Sequence, residues 1–435
     1  MPVPSNLERF PELHPAFDTQ SALAEANRCL YCYDAPCSAA CPTHIDVPRF
    51  IKKIASGNLH GSANTILDSN ILGLSCSRVC PVDVLCEGAC VMHRYNKQPI
   101  EIGRLQRYAM DRFYERGPRL TPHALPVATG KVACIGGGPA SLSCAAELRR
   151  RGYHVTVFDN RPLPGGLNTY GIAEYKLRPS DSLREVGLVQ SLGVEFRQQE
   201  IASTQSLDEL EKEYDVIFLG IGLGAMEALG IPGEDRPEVI DALRFIAHYK
   251  TRDLEVGRVV VVIGGGNTAI DAANAARRLG ADEVHVFYRR TEKEMPAFLY
   301  EYENSKLEGV QFHWLAQPVE ILERAVRLVS TRLGAPDASG RRKAEPVPGT
   351  EFAFVCDMVI PAVGQSRFMK LLEGSRGIDL EHGCVAVDRP TGRTSNPKYY
   401  AGGDCVNGGR EVVDAVADGK RAALAITRRL EAVRG

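Results

Sequence analysis

The sequence lacks a charge excess of either sign, a long apolar run and an export signal. It has 52 Lys and Arg against 54 Asp and Glu, a net charge of −2, which leaves no basic excess for nucleic acid or an anionic membrane. The longest apolar stretch, VIFLGIGLGAM from Val216 to Met226, is shorter than the roughly 20 residues that a membrane-spanning helix needs. The start, MPVPSNLERFPELHP, has neither the basic nor the apolar segment of a secretory signal. We therefore expect a cytoplasmic protein that binds neither nucleic acid nor membrane.

Length and composition are those of a multidomain globular protein. With 435 residues the chain has room for roughly three domains of about 150 residues. Apolar residues make up 44% and charged residues 24%, which argues against a disordered or fibrous chain. Prolines at three positions make residues 116–130 the best candidate for a linker after a mostly helical N-terminal region.

Eight of the 13 cysteines lie before residue 91, in two groups of four. The first group is Cys29-x2-Cys32-x4-Cys37-x3-Cys41-Pro, and the second is Cys76-x3-Cys80-Pro followed by Cys86-x3-Cys90. In a long chain without an export signal, such crowding favours a metal or redox cofactor over disulfides. The Cys-Pro dipeptides favour ferredoxin-type iron–sulfur ligation, and zinc, which usually takes paired Cys-x2-Cys knuckles, is the weaker alternative.

The Cys-Pro rule also predicts how the ligands divide. In ferredoxin runs that end in Cys-Pro, the last cysteine ligates the other cluster. Cys41 should therefore leave Cys29, Cys32 and Cys37 and join the second group, so that the first cluster needs a fourth ligand from elsewhere. The remaining five cysteines contain no Cys-x-x-Cys pair, so a disulfide-reductase mechanism lacks its redox dithiol.

A strand, glycine turn, helix and strand follow one another in KVACIGGGPASLSCAAELRRRGYHVTVFD. Gly136, Gly138 and Ser141 occupy the three positions of G-x-G-x-x-G/A, and Asp159 ends the second strand, where an acid accepts hydrogen bonds from an adenosine ribose. Because all these features agree, the segment predicts dinucleotide binding rather than a purely structural turn.

The same pattern returns in RVVVVIGGGNTAIDAANAARRLGADEVHVFYRR, with Gly264, Gly266 and Ala269 at the glycine positions. The repeat indicates a duplicated βαβ unit. Its second strand ends in Arg289 and Arg290 instead of an acid. A guanidinium suits a ribose 2′-phosphate, so the pair favours NADPH, with NADH and a merely solvated Arg pair as the alternatives.

Two nucleotide sites in one chain suggest a flavin enzyme that a nicotinamide reduces. YYAGGDCVNGG places Asp404 in a glycine-rich turn before a final helix expected at 414–432, where it could hold ribityl or pyrophosphate groups. Gly165 and Gly166 offer another close approach of backbone to a ligand. Residues 332–351 are expected to form an exposed loop or hairpin.

These motifs together resemble a known family. RCLYCYDAPCSAACPTHIDVPRFI, LSCSRVCPVDVLCEGAC, PIEIGRLQRYA, GGGPASLSCA and YYAGGDCVNGGREVVDAVADGK are similar to the N-terminal domains of dihydropyrimidine dehydrogenase, whose relative is the glutamate synthase small subunit. The resemblance implies an α/β fold in which an N-terminal α-helical iron–sulfur domain precedes two Rossmann-like nucleotide-binding domains. It implies a helical domain with two 4Fe–4S clusters at 1–120, a discontinuous FAD-binding domain at 131–235 and 366–435, and an NAD(P)H-binding domain at 236–365.

The resemblance also implies site residues. One cluster would take Cys29, Cys32, Cys37 and Gln106, and the other Cys41, Cys80, Cys86 and Cys90, with Cys76 a bystander. FAD would contact Gly136, Gly138, Ala140, Asp159, Gly166, Leu167, Lys176 and Asp404. The nicotinamide coenzyme would contact Gly264, Gly266, Asn267, Thr268, Arg289, Arg290, Ala362 and Gly364. Lys176 stands where the family usually has Arg, and Asp159 where it usually has Glu.

No FMN-binding barrel, further cysteine cluster or evident acid/base set for a carbon substrate is present in the sequence. The resemblance therefore implies an oxidoreductase subunit that takes electrons from NAD(P)H through FAD and two 4Fe–4S clusters. It would pass them to an FMN- and iron–sulfur-containing large subunit that reduces uracil or thymine. A glutamate synthase small-subunit role for another acceptor is the alternative, and a cluster-bearing redox sensor is a further one.

Overall fold

The structure, a computed structural model, describes residues 9–120, 130–252, 254–336, 342–367 and 376–432. Residues 121–129 of the expected linker and 337–341 of the expected loop lie outside this part. Internal contacts divide the chain into two compact units. The smaller unit is built mainly from Tyr170–Tyr175 and Gly224–Ser366, and the larger from Glu12–Thr169, Lys176–Leu223 and Arg367–Gly435. In the described residues, no helix is both long enough and apolar enough to cross a membrane.

Helices and strands alternate along most of the chain after a helical start. The helices are α1 (Thr19–Arg28), α2 (Pro36–Ala40), α3 (Val47–Ala55), α4 (Leu59–Ser69), α5 (Gly73–Val79), α6 (Ile102–Glu115), α7 (Pro139–Arg150), α8 (Leu167–Tyr170), α9 (Pro179–Ser191), α10 (Thr204–Glu213), α11 (Ala242–Thr251), α12 (Asn267–Leu279), α13 (Leu299–Leu307), α14 (Asp404–Asn407) and α15 (Val412–Ala432). The strands are β1 (Lys131–Ile135), β2 (His154–Asp159), β3 (Glu195–Gln198), β4 (Val216–Leu219), β5 (Val259–Ile263), β6 (Glu283–Tyr288), β7 (Gln311–Trp314), β8 (Ala316–Leu322), β9 (Ala325–Pro336), β10 (Arg342–Pro346), β11 (Phe352–Val355), β12 (Met358–Pro361), β13 (Leu380–Glu381), β14 (Cys384–Val385) and β15 (Tyr399–Ala401). Short 3-10 helices lie at Val91–Tyr95 and Glu292–Glu294.

The N-terminal helices of the larger unit have the local signals that the sequence predicts. Asp46 caps α3 by accepting a hydrogen bond from Arg49 N at 3.1 Å. Phe50, Ile51 and Ile54 lie on one face of the same helix and are fully buried. This core continues without a break from α1, α3 and α6 into α7, α15 and the first sheet, so the cysteine-bearing helices and the sheet share one apolar interior.

A parallel sheet organises the rest of the larger unit, in the order β15-β4-β1-β2-β3. Strand β1 is buried at every position after Lys131, as expected for a central strand covered on both faces. At the carboxyl end of β1, Ile135 lies opposite Phe158 of β2 and Leu219 of β4. Helix α15 begins at Val412, two residues before its expected start, and ends at Ala432 as expected.

The smaller unit contains a second parallel sheet, β12-β5-β6-β7, and an antiparallel sheet in which β8, β10 and β11 pair with β9. Ile263 lies opposite Phe287 of β6 and Pro361 of β12, which matches the surroundings of Ile135. The described part of 332–351 forms the β9–β10 hairpin. The α/β fold class is therefore confirmed, with a helical N-terminal region followed by two Rossmann-like sheets.

Candidate functional site

Four cysteines of the N-terminal region line one pocket. Its walls are Cys29, Cys32, Cys37 and Cys90 together with apolar side chains of α3, of the Val91–Tyr95 helix and of the chain entering α6. All four are half-buried free thiols. Such a pocket fits a 4Fe–4S cluster, because cysteine sulfurs ligate these clusters and apolar walls limit the exposure of the cluster to water.

A second set of sulfurs surrounds Cys80, which follows the last residue of α5. Cys41, Cys76 and Cys86 all raise the pKa of Cys80, and its hydrogen bond with Cys76 is the largest cause. Gln106 on α6 lies at the other end of α5, where its Nε2 donates to Gly73 O at 2.8 Å. With that nitrogen engaged, the amide oxygen is the atom that Gln106 can offer to a metal.

The pocket groups four cysteines in a different combination from the one that the resemblance implies. Cys90 lies with Cys29, Cys32 and Cys37, where the resemblance had placed Gln106. Gln106 instead lies against α5, the helix that leads into Cys80. Cys90 directly precedes the Val91–Tyr95 3-10 helix, which lines the first pocket, whereas α6 packs beside α5. Among the described residues, no three His, Cys, Asp or Glu side chains are close enough to share a single metal ion.

Burial raises the pKa of individual thiols in both sets. It raises the pKa of Cys37 to about 11, with smaller contributions from Cys29 and Cys90. Burial also raises the pKa of Cys86 far above its ordinary value. Since thiolates are the ligands of iron, cluster assembly would have to displace the protons of Cys37 and Cys86.

The first glycine turn, between β1 and α7, lies at the edge of the first sheet. Gly136 has φ +89°, and a Cβ there would come within 2.4 Å of Gly220 O, so only glycine fits. Gly138 precedes α7 and gives it no side-chain cap, which leaves the amides after Pro139 in the first turn available to an anion. Asp159 Oδ2 accepts a hydrogen bond from Gly137 N at 2.6 Å, and the backbone of Gly166 lies directly against Gly138.

Asp404 lies next to this turn. The glycine before it, Gly403, is so close to Ala140 that its Cβ would lie 3.0 Å from that of Ala140. Gly403 N donates to Asp418 Oδ2 at 2.9 Å, and Arg410 N donates to Asp404 Oδ1 at 3.1 Å. Burial raises the pKa of Asp404. The structure thus brings Gly136, Gly138, Ala140, Asp159, Gly166 and Asp404 to one edge of the sheet.

The other two residues expected at this site are placed less closely. Leu167 is the half-buried first residue of α8, directly after Gly166. Lys176 is half-buried in the chain between α8 and α9. Neither is brought into contact with Asp159 or Asp404 by a described hydrogen bond.

The second glycine turn, in the smaller unit, repeats the first. Gly264 has φ +150°, and a Cβ there would lie 2.3 Å from Ala362 O. A Cβ on Gly136 would meet the backbone oxygen of Gly220 in the same way. Gly266 begins α12 without a side-chain cap and has open space above it. Asn267 Oδ1 accepts a hydrogen bond from Phe298 N at 2.9 Å. Thr268 follows in the first turn of α12, and Gly364 lies in an exposed loop two residues after Ala362.

The residue equivalent to Asp159 in the second turn is Tyr288. Phe158 O and Phe287 O accept from Gly136 N and Gly264 N in the same way, so the residues that follow correspond. Arg289 and Arg290 come next, and they differ: Arg289 is exposed, whereas Arg290 is 8% exposed. Within the described residues, Arg290 Nε has no hydrogen-bond partner. A buried, unpaired guanidinium nitrogen is suited to an anionic ligand.

Sequence reasoning missed one set of residues that supports the second cysteine group. Glu185 on α9 accepts hydrogen bonds from Leu74 N at 2.7 Å and from Ser75 N at 3.1 Å. Its partners are about 110 residues away in sequence. The helical pattern of α9 therefore carried no signal for this contact.

Comparisons with known proteins show the family to which the chain belongs. Residues 6–118 match the family model described as dihydropyrimidine dehydrogenase domain II, 4Fe-4S cluster, and residues 130–419 match the pyridine nucleotide-disulphide oxidoreductase family. The fold of the chain is similar to that of FprA from Mycobacterium tuberculosis, solved in complex with NADPH, with a TM-score of 0.56 and 20% identity over 70% of this chain and 86% of that one.

Two curated relatives are similar over nearly the whole chain. The glutamate synthase [NADPH] small chain of Escherichia coli is 37% identical over 97% of this chain and 94% of its own length. The NADP(+)-dependent formate dehydrogenase subunit beta of Moorella thermoacetica is 37% identical over 91% of this chain, which spans 60% of that subunit. The chain therefore belongs to the pyridine nucleotide-disulphide oxidoreductase family, in the branch that joins this fold to an N-terminal 4Fe–4S domain and includes the glutamate synthase small chain.

Proposed function

We propose that the chain is the electron-input subunit of a two-component NADPH-dependent oxidoreductase. The observation that carries this proposal is the pocket of four half-buried sulfurs at Cys29, Cys32, Cys37 and Cys90, in a chain that also holds two matched glycine turns. A nucleotide oxidoreductase that acted alone on a small substrate would have no use for such a pocket.

The two glycine turns take different coenzymes in this proposal. The first would hold FAD through the open first turn of α7, through Asp159 and through Asp404. The second would hold NADPH, with the pyrophosphate at the start of α12 and the 2′-phosphate near Arg289 and Arg290. FAD supplies the conversion of a two-electron hydride donor into single electrons, and the protein supplies position and environment.

The cysteine groups form the outlet for electrons. The first group, Cys29, Cys32, Cys37 and Cys90, would hold one 4Fe–4S cluster. The second, Cys41, Cys80 and Cys86 with Gln106, would hold another. Cys80 of the second group directly follows α5, which contacts α9 of the nucleotide-binding region, whereas the first group opens to the surface. Electrons would therefore enter at the second cluster and leave from the first.

The surface next to the first group suits a partner subunit. Leu30, which follows Cys29, is 52% exposed, and Tyr33, which follows Cys32, is fully exposed. Tyr95, which ends the 3-10 helix after Cys90, is 61% exposed. Exposed apolar and aromatic side chains are typical of association surfaces. We assign this surface to an FMN- and iron–sulfur-containing large subunit, which would place its own acceptor near the outlet cluster.

For the final acceptor, the proposal is uracil or thymine reduced on such a large subunit. The resemblance of the cysteine motifs to dihydropyrimidine dehydrogenase supports it, as does the match of residues 6–118 to domain II of that enzyme. The glutamate synthase large subunit is the second candidate. It is favoured by a relative, the small chain of that enzyme, that matches this chain along almost its whole length.

Reconstitution tests the proposal and separates its two acceptors. The isolated chain should oxidise NADPH with an artificial dye but should not reduce uracil, thymine or 2-oxoglutarate with glutamine. Addition of a dihydropyrimidine-type large subunit should start uracil reduction. Activity only with a glutamate synthase large subunit would promote the second candidate, and uracil reduction by the chain alone would refute the relay.

A further inference from the structure

The contact between α9 and α5 is built from two acidic side chains that are buried. Glu185 is 1% exposed and Asp181 is 5% exposed, and they lie one helical turn apart on the same face of α9. Acidic side chains are almost never fully buried unless they are paired or hydrogen-bonded, since desolvation of the charge is costly. The two carboxylates therefore have a specific structural task.

Glu185 holds the beginning of α5. Its Oε1 accepts hydrogen bonds from Leu74 N at 2.7 Å and Ser75 N at 3.1 Å, and its Oε2 accepts one from Ser75 Oγ. Ser75 is fully buried. Burial raises the pKa of Glu185 to about 7, although the bonds from Ser75 and Leu74 oppose this shift. One side chain of the nucleotide-binding region thus fixes the first turn of a cysteine-bearing helix.

Asp181 holds the other end of α5. Arg78, the penultimate residue of the helix, approaches Asp181 Oδ2 with its Nε at 3.5 Å and Asp111 Oδ1 on α6 with its Nη2 at 2.6 Å. The next residue after α5 is Cys80, whose N–H donates to Cys76 O at 3.1 Å. The position of Cys80 is therefore linked to α9 through both ends of α5.

We propose that Glu185 is a positioning residue for electron transfer, which fixes α5 and the second cysteine group against α9. The inference rests on the proposed function, because it supposes a cluster at Cys41, Cys80 and Cys86. Electron transfer between two centres slows steeply as the distance between them grows. The potential of a cluster also depends on its hydrogen bonds and on its exposure to water. Loss of the Glu185 carboxylate should therefore change both the distance over which electrons reach the second cluster and the potential of that cluster.

Two variants at one position separate the hydrogen bonds from the charge. Glu185→Ala removes all three bonds, whereas Glu185→Gln keeps an acceptor for Leu74 N and Ser75 N, and the Ser75 hydroxyl can turn to accept from the new amide. Glu147→Ala is the matched control. Glu147 is a 9%-exposed acid on α7 that pairs with Arg151, the residue after that helix, and makes no described contact with α5.

The first measurement needs no turnover. Hydrogen exchange of the Leu74 and Ser75 amides is followed in the protein as purified, and redox titration with electron paramagnetic resonance gives the potentials of its clusters. In Glu185→Ala the two amides should exchange at least tenfold faster, and the potential of one cluster should shift. Both properties should return to wild-type values in Glu185→Gln and be unchanged in Glu147→Ala.

The second measurement follows electrons inside the protein. One-electron photoreduction with 5-deazariboflavin starts the exchange between flavin and clusters, which should slow at least tenfold in Glu185→Ala while NADPH oxidation with a dye stays within twofold of wild type. If Glu185→Ala does not fold, Ser75→Ala replaces it and should shift the same properties by a smaller amount. Wild-type amide exchange, cluster potentials and transfer rates in Glu185→Ala, or in Ser75→Ala where it replaces that variant, overturn the inference. Faster amide exchange with an unchanged transfer rate also overturns it. Absence of flavin-to-cluster transfer in the wild type would instead refute the proposed function, and the amide measurement would still test the contact.

Discussion

Asp159 Oδ2 accepts a hydrogen bond from Gly137 N at 2.6 Å, so the acid that ends β2 is tied to the glycine turn that follows β1. In the second βαβ unit the equivalent of Asp159 is Tyr288, and a Cβ on Gly265 would lie 2.7 Å from its ring. Two turns at equivalent positions of their sheets therefore differ in charge: one is followed by a strand that ends in a carboxylate, and the other by a strand that leads into two arginines. This difference is the basis for assigning FAD to the first and NADPH to the second.

Replacement of Asp159 should weaken FAD binding. Asp159→Ala removes both the acceptor for a ribose hydroxyl and the bond to Gly137 N, and we expect the dissociation constant for FAD to rise at least tenfold. Asp215→Ala is the matched control, because Asp215 Oδ2 accepts from Lys131 N at 2.8 Å at the opposite end of β1. FAD content after purification and fluorescence-detected rebinding measure the effect. Equal FAD affinity in the two variants would contradict the assignment.

The two arginines after β6 should set the preference for NADPH. Arg289→Ala and Arg290→Ala should each raise KM for NADPH about tenfold or more while KM for NADH changes little, because only NADPH carries the 2′-phosphate. The exposed Arg258, which pairs with Asp282 Oδ2 at 2.6 Å before β5, provides the control variant Arg258→Ala. Steady-state kinetics with both coenzymes test this, and a better KM for NADH in the wild type would refute it.

The cysteine grouping predicts which cluster each ligand variant loses. The purified protein should hold about eight irons and one FAD, as expected for two 4Fe–4S clusters. Cys90→Ser should lose the cluster of Cys29, Cys32 and Cys37, and Cys86→Ser should lose the other. Cys76→Ser should keep both clusters, whereas Gln106→Ala should change the spectrum of the second.

Iron and acid-labile sulfide analysis, with electron paramagnetic resonance of the dithionite-reduced variants, measures these outcomes. Stoichiometric zinc without sulfide would contradict the cluster assignment. If Cys90→Ser and Cys86→Ser lost the same signal, the division of the cysteines by the pocket would be refuted.

Stability of the smaller unit should depend on pH through Lys250. This side chain is fully buried on α11 and donates to Ile172 O at 2.6 Å. Burial lowers its pKa from 10.5 to about 7, against the opposing effects of Glu174 and Asp271. Between about pH 7 and pH 10.5 the unfolded chain carries a proton here that the folded chain lacks. The free energy of unfolding should therefore rise with pH in this window, by at most about 1.4 kcal/mol per pH unit from this group.

Lys250→Met lacks this titration. The difference in melting temperature, wild type minus variant, should increase from pH 7.5 to pH 9.5 and level off below pH 7, where folded and unfolded lysine are both protonated. The other titratable groups are the same in the two proteins, so their effects on the melting temperature cancel when the variant is subtracted from the wild type. A difference that does not change with pH would show that Lys250 is charged in the folded protein.

The features that local sequence determines could be predicted, and the two glycine turns are the example. Gly136 and Asp159 belong to one βαβ segment, so the spacing between them fixes their meeting at the edge of the sheet. The duplication at Gly264 was predicted for the same reason. The orphaned Nε of Arg290 could not be anticipated, because the burial of one arginine and not its neighbour depends on tertiary packing that the sequence pattern does not show.

The grouping of the cysteines could not be predicted from spacing alone. Cys90 is nearer in sequence to Cys86 than to Cys29, yet it lies in the pocket of Cys29, because α3 and the Val91–Tyr95 helix pack around the same space. Glu185 gave no signal either, since its partners at Leu74 and Ser75 are on a distant segment. The place of Cys90 and the contact of Glu185 both depend on segments that only the tertiary packing of the helices brings together.

The most direct test of the relay compares NADPH oxidation by the wild type and by Cys41→Ser, first with a dye and then with the large subunit that co-purifies from the native host. Dye reduction requires the flavin site alone, whereas reduction of the partner requires the clusters. We expect both proteins to reduce the dye at rates within twofold of each other, and only the wild type to support turnover of the partner. Equal turnover of the partner by Cys41→Ser would contradict the account, because electrons would then leave the chain without passing through the second cysteine group.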